Sequence, residues 1–308
     1  MSKTALITSM VTSRDPKGRQ SVSVFEAAYN SAKLDDDRAQ RLNENGGELK
    51  SEALKLIERL SATNLYASEE VRSSYTYPSE YKGPKSVTEQ VELLLKHLPG
   101  LDPEPTLRYV RDVYSKLQLP SWVEGPFVFP AVSALARLFF PKVEDSSEQD
   151  CAAVSLILAR IAASRTFCNY REGQITPNQY RVSVRTKHAL GVLAEMEQAD
   201  ILVAPGQFGL RHRGCSVRRA REKFVRNEFG GGTVQVGSMV LTHPERFVRW
   251  EQLHTDCAGD EFSPDADGQF DDAPYLGFLG GGGEVRFSTS GFSDPCERYG
   301  SVSFLLPQ

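Results

Sequence analysis

The chain has 308 residues, 40% apolar and 25% charged, enough core-forming material to fold without staples, which excludes wholesale disorder. Lys and Arg total 36 against 40 Asp and Glu, a net charge of -4, so a generally polycationic protein is excluded and any polyanion site must be local. The five cysteines (Cys151, Cys168, Cys215, Cys257, Cys296) are odd in number and widely spaced, predicting neither a disulfide framework nor a paired-cysteine metal site.

The opening MSKTALITSMVTSRDPKG has one short apolar patch, too brief for a secretory core or a bilayer span, so a cytosolic protein without a membrane partner is expected. Residues 1–47 read as a flexible arm with a short helix near Val22 to Ala32. A first strong helix places Leu49, Ala53, Leu56, Ile57 and Leu60 on one stripe. Residues 61–85 form a tyrosine-rich linker. Ser86 and Glu89 then give a capping box for a helix running to Leu98, stopped by Pro99-Gly100. Another helix follows Pro105, burying Leu107, Val110, Tyr114 and Leu117.

The aromatic stretch 121–130 leads into an apolar segment ending at Phe140. From a Ser147 cap, residues 148–164 are apolar almost all round, which predicts the central core helix. A further helix follows Thr186, with Ala189, Val192, Leu193 and Met196 on one face. Ile201 to Ala204 reads as a buried strand. Ser216 caps a helix expected to run to about Phe229, ended by Gly230-Gly231-Gly232. The alternation across Thr233 to Thr242 predicts a strand, which would complete a βαβ unit. Thr242-His-Pro-Glu245 predicts a second capped helix through about His254. The tail is expected to hold strands near 275–279, 284–288 and 301–306, the first two joined by a turn at Gly280 to Gly283.

Sixteen of the 24 glycines fall from Gly206 onward. This shift sets the expected boundary near residue 198, between a helical domain (48–198) and a mixed α/β domain with a small sheet (199–308). The fold class is α+β.

Residues 206–226 carry Arg211, Arg213, Arg218, Arg219, Arg221, Lys223 and Arg226 against the single acid Glu222. On a helix, Arg219, Lys223 and Arg226 share the face opposite Val217, Ala220 and Phe224. A helix start behind a glycine loop offers N–H groups and a positive dipole end, and loop arginines can clamp phosphate oxygens. The glycine spacing matches neither a dinucleotide fingerprint nor a P-loop. Residues 256–272 carry seven acids and no base, among them Asp256, Asp260, Glu261, Asp265 and Asp267, the hard oxygen donors that Mg²⁺ or Ca²⁺ requires. Alternatively, this acidic run folds against the basic helix and neutralises it. Cys215 stands six residues before Arg221 at an expected helix start, a setting that favours thiolate, although the intervening helix lacks the loop that a phosphate cradle needs. His254 with Asp256 and Asp260 forms a weaker metal or acid-base candidate. Trp122, Trp250, Phe127 and Phe129 read as core anchors. Tyr66, Tyr75, Tyr77 and Tyr81 suit either base stacking or packing.

At FGLRHRGCSVRRAREKFVRNEFGGG, VGSMVLTHPER, DCAGDEF and the closing FLLPQ, the chain resembles a group of uncharacterised bacterial proteins. The resemblance covers about the last third and implies that residues 199–308 form one unit; it carries no reaction or ligand.

Three functions follow as expectations. The first is nucleic-acid or other polyanion binding, with Arg211, Arg213, Arg218, Arg219, Lys223 and Arg226 meeting phosphates. Such binding weakens with salt, at a log-log slope of about -0.9 per phosphate neutralised on duplex DNA. The second is a Mg²⁺-dependent phosphodiester or nucleotide enzyme with Asp256, Asp260 and Glu261 on the metal. The third is a structural or interaction protein whose charged segments pair internally.

Overall fold

The computed structural model describes residues 16–61, 64–280 and 283–307. The chain divides into two compact units, Met1–Thr63 and Asn64–Gln308. The first holds α1 (Pro16–Ser31), α2 (Asp36–Glu44) and α3 (Gly46–Ser61). Asp35 caps α2 by accepting the Arg38 amide. The striped helix expected at Leu49 to Leu60 is α3. The arm expected over 1–47 lies outside the described residues as far as residue 15, and from Pro16 it is mainly helix.

The second unit opens with α4 (Val87–His97), capped by Ser86 as expected. Next come α5 (Glu104–Asp112), β1 (Gly125–Pro130), α6 (Val132–Phe139) and α7 (Ser146–Ser164). There follow β2 (Phe167–Asn169), β3 (Tyr180–Val182), α8 (Val184–Glu197), β4 (Ile201–Gln207) and α9 (Val217–Lys223). Then come β5 (Glu228–Gly230), α10 (Thr233–Thr242), β6 (His254–Asp256), β7 (Asp260–Phe262), β8 (Asp272–Leu279), β9 (Glu284–Gly291), β10 (Tyr299–Ser301) and β11 (Ser303–Leu305). Helices dominate the first half and sheets the second, an α+β fold. Among the described residues no helix is long and apolar enough to cross a membrane.

The strands make two sheets in place of the small one expected. One has the order β1-β4-β11-β5; the other joins seven strands along β10-β6-β8-β7-β3, with β9 pairing β8 and β2. The chain changes sheets at Val302, whose amide donates to the Asp256 carbonyl. The β8–β9 hairpin is present, with Leu279 opposite Glu284; Gly281 and Gly282 of its expected turn lie outside the described residues.

Six expectations are corrected. Thr233 to Thr242 is a helix with all ten residues buried, not a strand, so no βαβ unit forms. A helix with no solvent face carries no polar stripe, and its valines alternate by coincidence. This α10 packs on α7, α4, β1 and β8 and is the central helix. The expected core helix α7 is capped by Asp145 and leaves Ser155, Ala159 and Ala162 exposed. The basic helix stops at Lys223, and the segment after Thr242 is a single 3-10 turn, Pro244–Arg246. No boundary falls near residue 198, because β1 pairs antiparallel with β4 from Gly125–Gly206 to Pro130–Ile201 and fuses the two expected domains. Phe127 and Phe129 are fully buried, but Trp250 is 40% exposed, so it anchors no core.

Candidate functional site

Ser216 caps α9 by accepting the Arg219 amide at 3.1 Å, which fixes where the basic helix starts. Gly214, at φ +76°, lets the loop before it run against residues 69–71. A Cβ there would stand 2.2 Å from the Val71 carbonyl oxygen. Val71 N donates to Gly214 O at 2.8 Å and Ser216 N to Glu69 O at 3.0 Å, so a strap from the tyrosine-rich linker is stitched along the helix start.

That strap brings the carboxylates. Arg218 donates through Nε to both oxygens of Glu69, at 2.7 and 2.8 Å, and lies over the Tyr66 ring at 4.5 Å. Ser216 Oγ adds a third donor to the same carboxylate. The Arg218 hydrogen bonds hold the Glu69 pKa below its usual value. Glu70 accepts Lys223 Nζ at 2.9 Å and Arg219 Nε at 3.3 Å. Arg219 also pairs with Glu222 at 2.7 Å. Arg221 reaches Glu261 at 3.0 Å and the Ala258 and Asp260 carbonyls. Arg211 pairs with buried Glu228 at 3.1 Å and stacks over Trp122, while Glu228 also binds His212 at 2.7 Å. Arg213 donates to the Tyr75 carbonyl. Arg226 is exposed and has no ion pair among the described residues.

The expected partner of this helix, the acidic run, supplies one carboxylate among the described residues, Glu261, which also pairs with Arg181 at 2.7 Å. Nor do the acids gather round a cation: among the described residues no three metal-binding side chains converge. Strand geometry explains this. Asp256 on β6 and Asp260 on β7 are separated by β8, and alternation along β7 sends Asp260 inward and Glu261 outward. Asp256 is buried, and desolvation pushes its pKa up to about 7. Asp265 is exposed, and Asp267 caps its own loop by accepting the Gln269 amide at 2.9 Å. Cys215 is likewise no activated thiolate. Burial raises its pKa despite a Lys223 contact at 3.5 Å.

Asp260 has a different role. Its Oδ2 accepts the Thr233 amide, the first N–H of α10. Gly232 makes this approach possible, since a Cβ there would stand 2.3 Å from Asp260 Oδ1. Oδ1 makes no hydrogen bond of good geometry among the described residues, but the Tyr180 and Thr233 hydroxyls lie against the same carboxylate and favour its charged form. Asp260 is 1% exposed and lines a 170 Å³ cavity with Asp150, Lys187, Tyr180 and Gln235. The walls are mostly apolar, from Val132, Val182, Leu190 and Val234. Lys187 Nζ meets Asp150 at 3.1 Å. Burial first, then neighbouring charge, pushes Asp260 up to about 6 despite its hydrogen bonds. Burial and the Asp260 charge lift the Tyr180 phenol well above its usual value.

Asp150, Tyr180 and Lys187 escaped the sequence reading because each sits singly, on α7, β3 and α8. The alternation of β3 turns Tyr180 inward, whereas Asp150 is partly buried and Lys187 exposed, and nothing in their spacing shows that the elements converge. No family model, curated protein or solved structure matches the chain.

Proposed function

We propose that residues 64–308 form a small-ligand module whose site is the cavity at the start of α10, with the basic loop and helix serving as an internal clasp. The observation that carries this reading is Asp260, a carboxylate buried yet lining the cavity, with one oxygen that makes no hydrogen bond of good geometry among the described residues. A buried polar atom of that kind is costly unless a donor reaches it. A pocket with apolar walls and a few convergent polar groups is the usual form of a small-molecule site.

The polyanion surface has less support. Arg211, Arg218, Arg219, Arg221 and Lys223 already face carboxylates, which leaves Arg213 and Arg226. The Mg²⁺ enzyme has less again, because Asp256 lies on β6 while Asp260 and Glu261 take opposite faces of β7.

Two measurements test the reading. Duplex DNA and heparin titrated at low salt are expected to show no saturable binding, and Arg219→Glu with Lys223→Glu to lower thermal stability. DNA binding lost in that variant with its melting temperature intact would overturn the clasp. Single-ring fragments screened by ligand-observed NMR are expected to bind, and Gly191→Leu to abolish their signals. Gly191 lines the cavity at an exposed position and a Cβ there meets nothing within 4 Å, so a larger side chain is accommodated at the cavity wall without a clash. Hits that persist undiminished in this variant would place the ligand elsewhere.

A further inference from the structure

We infer that the cavity at the start of α10 takes a small primary ammonium ion with a compact apolar body, its ammonium group on Asp260. The inference rests on the reading of this cavity as the ligand site.

Charge is the first ground. The lining holds two carboxylates, Asp150 and Asp260, and one cation, Lys187, which is engaged with Asp150. Asp260 spends Oδ2 on the Thr233 amide, and the Tyr180 and Thr233 hydroxyls lie against the carboxylate without bringing any positive charge. The local deficit is thus of positive charge. An anion would add like charge beside two carboxylates, and an alcohol would satisfy the hydrogen bond but leave the charge. An ammonium group supplies both in one charge-assisted contact. The positive end of α10 works against a cation, but Asp260 stands between that helix end and the cavity. With its pKa held near 6 by burial, Asp260 is ionised at neutral pH.

Size and surface are the second ground. A dry cavity of about 150 Å³ holds benzene, and this one, at 170 Å³, has mostly apolar walls. A single ring or a short branched chain bearing one amine fills it.

The test uses benzylamine, benzyl alcohol and benzoate, three probes of one shape, titrated into the full chain and followed by amide chemical shifts. Benzylamine is expected to bind at least about tenfold more tightly than the other two. Asp260→Asn should bring it down to the alcohol's affinity, and Gly191→Leu should abolish binding. Should Asp260→Asn fail to fold, Lys187→Gln keeps the question open to measurement. That side chain is 52% exposed, and its removal frees Asp150, so benzylamine should then bind severalfold more tightly and benzoate more weakly. If the alcohol or benzoate binds as tightly as the amine, the ammonium assignment is wrong while the cavity remains the site. If none of the three binds, or if Gly191→Leu changes nothing, both readings fall.

Discussion

Glu197, a residue 6% exposed, closes α8, with Oε2 accepting the Val203 amide at 2.9 Å and Oε1 unpartnered among the described residues. Burial pushes its pKa up to about 8, above the value it has in the unfolded chain. Its contribution is therefore fully present below about pH 4.5 and is lost as pH rises towards the folded value. Glu197→Gln should stabilise the protein near pH 8 by one to a few kcal/mol and give no advantage near pH 4.5. Urea midpoints at the two pH values check this; an equal effect at both would mean that the carboxyl does not titrate across that range. His243 and His254, both held down to about 4 by burial, act in the opposite direction. Stability falls as pH drops from about 6.5 through their folded values. None of these shifts could be read from the sequence, because each depends on what surrounds the side chain and not on its neighbours along the chain.

Gly237, midway along α10, shows what the central helix demands of α7. A Cβ there would lie 2.3 Å from Ile157 Cγ2, a branched and fully buried neighbour. Gly237→Ala should thus destabilise by about 1–3 kcal/mol through overpacking, although alanine in an exposed helix would gain about 1 kcal/mol over glycine. A denaturant series on the variant, with no loss of stability, would show that α7 gives way. At α9 the clasp predicts a measurable coupling between Arg218 and Glu69. The Arg218 side chain is 41% exposed, so a double-mutant cycle to alanine should return about 0.5–1 kcal/mol, smaller at high salt. Helices with a solvent face and a capping residue were legible here, as α4 at Ser86, α8 beginning beside the expected Thr186 and α9 at Ser216 show. The buried α10 was not, since its apolar surroundings erase the polar stripe that distinguishes a helix from a strand. Three-residue strands such as β6, β7 and β10 are too short for alternation to register.

Across the whole molecule, β1 and β4 decide where folding units begin and end. A fragment starting at Asn64 should unfold cooperatively as judged by denaturant titration. One starting at residue 199 should not, because it lacks β1, one of the two strands that flank β4, and the α7 surface beneath α10. A cooperative transition in the shorter fragment would restore the boundary expected from the glycine distribution. That expectation went astray because composition changes along the chain while strand pairing joins residues far apart in it.

From the sequence alone came the α+β class, the solvent-facing helices with their caps, and the charge concentrated at residues 206–226, all set by local pattern and composition. The tertiary structure alone decided that Glu69 and Glu70 meet that charge. It also decided that Asp260 joins Asp150, Tyr180 and Lys187 around one cavity. Arg218 and Glu69 are 149 residues apart, and a contact over that separation arises only when the elements between them have packed.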